Sequence, residues 1–392
     1  MRPLLLLLFY SVVFLCSACR GPIPRGGERV GTPAPAEQGG ALVRVNPSQM
    51  PDFIDEGDRE GLINAAKQSA GYYRSLPPGR KINLGPDTPS AREMAESLEY
   101  FLSIVESGRK NIQEILLRDF TVYSSVGSGG QGTVVFSSYY EHSLRASLRR
   151  TSRYQYPLYG RPGDLDEITE RGERKVFRRG SGGRRPYYTR EEIDSGNALN
   201  GRGLEIAWAE DPVDIFFLQV QGSGWLLLPN GEKRRVRYAG NNGHPFKSVG
   251  GYMIARGLIS KEKFSRKAMV DYLARHPDDR QKILNANPRY VFFKIDNGPT
   301  SPWAYGSLNV PLTPGRSVAM DPAVFPPGAL AWMETQGKSK VRRFVFNQDE
   351  GGAIKGPSRV DYFAGSGEDA EKFAFGFWEK GRLYFLVKKK RP

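Results

Sequence analysis

The chain has 392 residues, 39% hydrophobic and 25% charged, with a net charge of +15. This is ordinary for a folded soluble protein, long enough for two domains, and it excludes an intrinsically disordered chain. Two cysteines and three widely separated histidines argue against a disulfide framework and against a His/Cys zinc site.

Met1-Arg2 is a short basic start, and Leu4 to Leu15 is almost wholly apolar. The run is too short to span a bilayer comfortably and reads as a secretory signal, residues 1–19. Ser17-Ala18-Cys19 resembles a bacterial lipoprotein processing site, with Cys19 as the acylated new N-terminus, although Cys16 stands where an aliphatic residue is usual. Residues 20–47 are rich in Pro, Gly and Ala and read as a flexible tether. A helical section follows. Asp87-Thr88-Pro89 is a helix start, and Met94, Leu98, Phe101, Leu102 and Val105 share one face up to Gly108.

From Asp119 the pattern turns to strands. Thr133 to Phe136 is β-rich and runs on into Ser137-Ser138-Tyr139-Tyr140. Ile215 to Leu228 is predicted as one long strand, turning at Asn230-Gly231 and returning from Arg234 to Ala239. Ser265 caps a helix to Arg275, with Pro277 beyond it. Strands are predicted at Tyr290–Ile295, Val341–Asn347, Val360–Phe363 and Arg382–Val387. The basic concentrations at Arg171–Arg185 and Lys388–Arg391 read as solvated loop and tail. Net charge alone suggests polyanions without choosing one, and no nucleic-acid motif is present.

Three segments carry candidate chemistry. Asp349 ends an apolar strand at a glycine-rich turn, and Asp361 sits among Val360, Tyr362 and Phe363. A carboxyl group in half-dry aromatic surroundings should have a raised pKa, as a general acid needs. Asp321, before Pro322, reads first as a turn residue. In Phe217 to Gly224, read as a strand, Gln219, Gln221 and Ser223 share a face suited to sugar hydroxyl and acetamido groups. His244, in the turn-rich loop Ala239 to Pro245, reads as a loop stabiliser that could touch substrate.

Together with Tyr156-Pro157-Leu158-Tyr159, Pro186-Tyr187-Tyr188-Thr189-Arg190, Asp211-Pro212-Val213-Asp214, Gln219 to Gly224, Ala239 to Pro245, Val310 to Ser317, and Gly352-Ala353-Ile354-Lys355-Gly356, these segments resemble the membrane-bound lytic murein transglycosylase A family. The likeness runs from about Phe136 to Val387. It implies a mainly β fold with some α. A double-psi β-barrel domain (48–142 plus 296–392) would carry an inserted β-rich domain (143–295), with a glycan groove between them. The family's three aspartates fall on Asp321, Asp349 and Asp361, with Asp361 as the catalytic acid and the other two supporting it. The charge of Asp349 is expected to help keep Asp361 protonated. Substrate contacts are expected from Tyr139, Gln219, Gln221, Gly222, Ser223, His244 and Lys355. The implied enzyme is a peptidoglycan lytic exotransglycosylase that closes a 1,6-anhydro ring on muramic acid. No cofactor, metal or nucleic acid is implied. The expected partners are glycan strands and, through Cys19, the periplasmic face of the outer membrane. The expected state is a monomer, with other cell-wall enzymes as candidate recruiters. One departure is visible: Ser138-Tyr139-Tyr140-Glu141-His142 lacks the glycine and proline usual there. A hydrolase using a second aspartate, or a glycan-binding lipoprotein without activity, fits the same residues.

Overall fold

The structure is a computed structural model. It describes residues 40–109, 111–170, 173–180, 183–296 and 303–390. The signal segment, Cys19 and most of the tether lie outside the described residues.

The first part runs β1 (Leu42–Arg44), α1 (Arg59–Ser75), α2 (Ala91–Glu106), α3 (Ile112–Asp119), β2 (Phe120–Ser125) and β3 (Val134–Ser147). β1 corrects the tether's end: Leu42 is buried and its strand pairs with β2. Leu42, Val43 and Val45 are a short β-prone island among the prolines and glycines. Helix α2 starts at Ser90, not at Asp87. Ser90 forms a capping box with Glu93, while Asp87 instead accepts from Tyr123 Oη at 2.6 Å.

The middle part runs β4 (Tyr156–Tyr159), β5 (Leu165–Glu170), β6 (Glu173–Arg178), β7 (Arg185–Pro186), α4 (Arg190–Asp194), β8 (Glu205–Ala209), α5 (Pro212–Gln221), β9 (Ser223–Leu227), β10 (Lys233–Asn241), α6 (Val249–Ala255), α7 (Arg266–Arg275), α8 (Pro277–Leu284) and β11 (Val291–Ile295). Here the predicted long strand fails. Its first half, with Gln219 and Gln221, is helix α5, and only its second half is strand β9. Asp211 caps the helix, Pro212 takes its first turn, and Gly222 at φ 84° stops it in the left-handed region. The helix is apolar on nearly every side because it is buried on nearly every side, so no 3.6-residue period marks it. Pro277 does not merely end α7; it opens α8.

The last part runs β12 (Ser317–Ala319), β13 (Leu330–Thr335), β14 (Arg342–Asp349), β15 (Arg359–Ser366), α9 (Glu368–Gly376) and β16 (Trp378–Lys388). Strands β16, β13, β14, β12, β15 and β3 pair in that order, and β3 pairs back onto β16, so six strands close a barrel. β12–β14 and β15–β3 are parallel and the other pairs antiparallel. Closure leaves no free edge among the six.

One apolar core, with Phe101, Phe136, Trp332, Phe344 and Phe385, fills the barrel and the space under α1 and α2. A separate core, with Leu144, Leu158, Leu218, Val236 and Phe293, lies in the middle part. Strand β3 gives Phe136 to the first and Leu144 to the second. It runs unbroken through the positions where the usual glycine and proline are missing.

Candidate active site

The barrel's pairing brings the aspartates together. Ala319 on β12 is in register with Asp349 on one side and Asp361 on the other. At the usual strand spacing the two aspartate backbones stand roughly 10 Å apart, with a methyl group between them. On the far side of β15, Asp361 is in register with Ser137 on β3. Ser137 Oγ donates to Asp361 Oδ1 at 2.7 Å, and Arg359 Nη2 donates to Ser137 Oγ at 3.0 Å. Among the described residues Asp361 Oδ2 has no hydrogen bond, and Asp361 lines an open cavity of about 900 Å³.

Asp349 is held differently. Its Oδ2 accepts from Tyr139 Oη at 2.9 Å, and its Oδ1 accepts from the backbone N–H groups of Ser307 and Glu350, each at 2.9 Å. Asp321 is clasped too: Gly356 N–H donates to Oδ2 at 2.8 Å and Ala323 N–H to Oδ1 at 3.2 Å. Lys355 Nζ is 3.9 Å from Asp321 Oδ1. Burial pushes the carboxyl groups of both Asp349 and Asp361 up to about 6. For Asp361, the Ser137 bond and then the Arg359 charge pull the other way. Desolvation is the largest cause of the raised value at Asp361.

The end of α5 forms another side of the cavity. Gln219, Gln221, Gly222 and Ser223 all line it, but not through strand alternation. Gln219 and Gln221 leave the last turn of a helix, and Ser223 follows the Gly222 cap. Arg190 donates to Gln219 Oε1, while Gln221 Oε1 accepts from Tyr140 N–H at 3.1 Å. Gln219 Nε2 is buried and has no hydrogen-bond partner among the described residues. A smaller cavity of about 120 Å³ adjoins, sharing Gln219 and Asp361 and lined by Arg190 and Phe246.

Tyr139 and Lys355 also line the larger cavity. His244 does not. Its Nε2 is 2.8 Å from the Tyr187 carbonyl, which ties the ring to a neighbouring loop. Reading the sequence missed Ser137, Arg359, Arg190, Arg237, Lys294 and Tyr305. Ser137 stood one residue before the Ser-Tyr-Tyr run, and only the β3–β15 register makes it a partner of Asp361. Arg190 ends Pro186-Tyr187-Tyr188-Thr189-Arg190, a run whose residue types give it no evident role. It is buried, bonded to the carbonyls of Asn287 at 3.0 Å and Arg289 at 2.8 Å, and lies against the Phe216 and Tyr290 rings.

Residues 135–294 match the MltA specific insert domain, and residues 316–387 match the 3D domain. A membrane-bound lytic murein transglycosylase A from Vibrio cholerae is 31% identical over 288 residues, 70% of this chain and 72% of that one. The protein of the same name from Escherichia coli K12 is 31% identical over 271 residues, covering 66% and 67%. Among solved structures, a membrane-bound lytic murein transglycosylase from Agrobacterium tumefaciens superposes with a TM-score of 0.74 at 26% identity, covering 89% of this chain and 98% of that one. E. coli MltA with bound chitohexaose gives 0.69 at 25% identity, covering 90% and 95%.

Proposed function

The chain belongs to the membrane-bound lytic murein transglycosylase A family and is a peptidoglycan lytic transglycosylase, and on that premise we propose that Asp361 is its single acid and base. One observation carries the choice. Of the three aspartates, only Asp361 keeps a carboxyl oxygen without a hydrogen bond among the described residues while lining the cavity. Asp349 and Asp321 have both oxygens engaged.

The steps follow from that. Protonated Asp361 gives its proton to the glycosidic oxygen between N-acetylmuramic acid and N-acetylglucosamine as the bond to C1 breaks. The carboxylate left behind takes the proton of the muramic C6 hydroxyl, whose oxygen closes onto C1 as a 1,6-anhydro ring. No water is consumed, and Asp361 ends protonated. A carboxyl group near 6 can do both, because neither state is far from neutral pH. Gln219, Gln221 and Ser223 hold the glycan, and positioning supplies much of the rate. A hydrolase would need a second carboxylate free to orient water, and the engaged oxygens of Asp349 and Asp321 disfavour that reading.

The division into 48–142 with 296–392, extended at its start to include β1, and an inserted 143–295 is part of this proposal. The change of core along β3 supports it. So is attachment at the cell envelope through lipidated Cys19. Among the described residues no helix is long and apolar enough to cross a membrane.

Asp361→Asn should abolish release of anhydro-muropeptides from purified peptidoglycan while leaving binding to sacculi intact. Mass spectrometry reads it directly, since hydrolytic products are heavier by one water. Full activity of that variant rejects the role of Asp361, and hydrated products from the wild type reject the lyase.

A further inference from the structure

The larger cavity has two chemically different sides. Among the described residues, its acidic lining groups are Asp321, Asp349, Glu350 and Asp361, all from the C-terminal part of the chain. The described residues of the stretch 135–294 contribute no acid to it. It contributes Arg237, Arg289 and Lys294 instead. Arg237 on β10 and Lys294 on β11 are direct register partners. Opposed residues on an antiparallel pair project from the same face, where like charges repel. Arg237 is engaged, with Nε 3.3 Å from Asp296 Oδ2 and its guanidinium 5.2 Å from the Tyr305 ring centre. Lys294 is exposed, and among the described residues its ammonium group has neither an ion pair nor a hydrogen bond. An uncompensated cation beside another, on the wall of a cavity, is an arrangement that a bound carboxylate would complete.

We propose that Lys294, backed by Arg237, forms a carboxylate-recognising subsite on the cationic wall, so that the enzyme favours glycan strands bearing anionic substituents over neutral glycans. This rests on the transglycosylase reading. Peptidoglycan offers the carboxylate from two sources: the stem peptide, or the lactyl group of muramic acid once the peptide has been removed. In either case the charge sits on a substituent of the sugar, so recognition orients the strand without touching the bond that is cut.

The test uses the purified full-length protein, wild type and Lys294→Met, on intact strands and on strands stripped of peptide by an amidase, with chitohexaose titrated as the neutral probe. The variant should raise KM on a carboxylate-bearing strand by about three- to tenfold. Its kcat should stay within roughly twofold, as expected for lost uniform binding. Chitohexaose affinity should not change. Wild-type KM should climb with salt more steeply than the variant's. Lys294→Glu should deepen the loss, and Lys294→Arg should restore most of it. Loss on intact strands alone assigns the stem peptide; loss on stripped strands assigns the lactyl carboxylate. Equal KM for wild type and Lys294→Met on both strands overturns the subsite, as does a parallel fall in chitohexaose binding. Absence of anhydro products from the wild type on both kinds of strand would instead overturn the transglycosylase reading.

Discussion

Asp361 shows how one side chain's surroundings set a pH range. Burial lifts it to about 6, against the Ser137 hydrogen bond and the Arg359 charge. Catalysis starts from the protonated form, so kcat/KM should fall as pH rises through about 6. Ser137→Ala removes a bond that favours the charged form. The fall should then move upward by roughly half to one pH unit, measurable as the pH profile of anhydro-product release. An unmoved profile would mean that Ser137 only packs. The same burial has a cost for stability. A carboxyl group whose folded pKa is raised contributes stability fully below the ordinary carboxylate range, and that contribution is lost as pH rises through about 6. Asp361→Asn should therefore be more stable than wild type at pH 7, by about 1–3 kcal/mol. The two should converge near pH 4, where the wild-type carboxyl group is also neutral. Urea unfolding at the two pH values checks the sign.

At the scale of elements, the join between α5 and β9 does most to build the glycan-facing side. Gly222 ends the helix in a left-handed turn that favours glycine. Gly224 then lets β9 approach β3: a Cβ there would stand 2.3 Å from the His142 carbonyl oxygen. Gly224→Ala should cost about 1–3 kcal/mol through overpacking. It should also raise KM, because Gln221 and Ser223 flank the displaced strand; thermal melting and substrate titration read the two effects. A second element-level clasp is Arg316, which is fully buried. It holds Asp55 through two bonds, at 2.6 and 2.8 Å, and the Phe344 carbonyl at 3.0 Å. It ties the segment before α1 to the strands that carry the aspartates. Arg316→Met strands the Asp55 charge in a part-buried site and should destabilise by about 3–5 kcal/mol, read as a lower denaturation midpoint.

Across the whole molecule, β3 is the continuous member. It pairs with β15 and β16 in the barrel, then with β8 and β9 in the middle part. At the crossing, Glu141 and Arg235 form a fully buried ion pair, Nε to Oε1 2.9 Å, and Arg235 Nη1 donates to the Trp303 carbonyl at 2.9 Å. That pair joins the outgoing strand, the middle part and the returning chain where the usual glycine and proline are absent. Stiffness here comes from strand pairing and a buried charge pair. The envelope attachment belongs to the same scale. Cys19→Ala should move the protein from the membrane pellet to the soluble fraction while leaving activity on purified strands unchanged. Retention in the pellet rejects the lipid anchor.

Much was determined by sequence alone: the C-terminal strands, the Asn230-Gly231 turn, the Ser265 cap, and the aspartates with their order along the chain. These are local signals, written in turn chemistry, capping residues and apolar runs. Other features only the tertiary structure decided. Helix α5 looked like a strand because burial on all sides erases periodicity. Ser137 became a partner of Asp361, and Arg359 a partner of Ser137, only through the register of β3 with β15, across more than two hundred residues of chain. Ala319 set the spacing of the two aspartates because β12 lies between their strands. His244 was drawn away from the cavity by a carbonyl on a neighbouring loop. Strand register and burial are non-local quantities, fixed when the barrel closes.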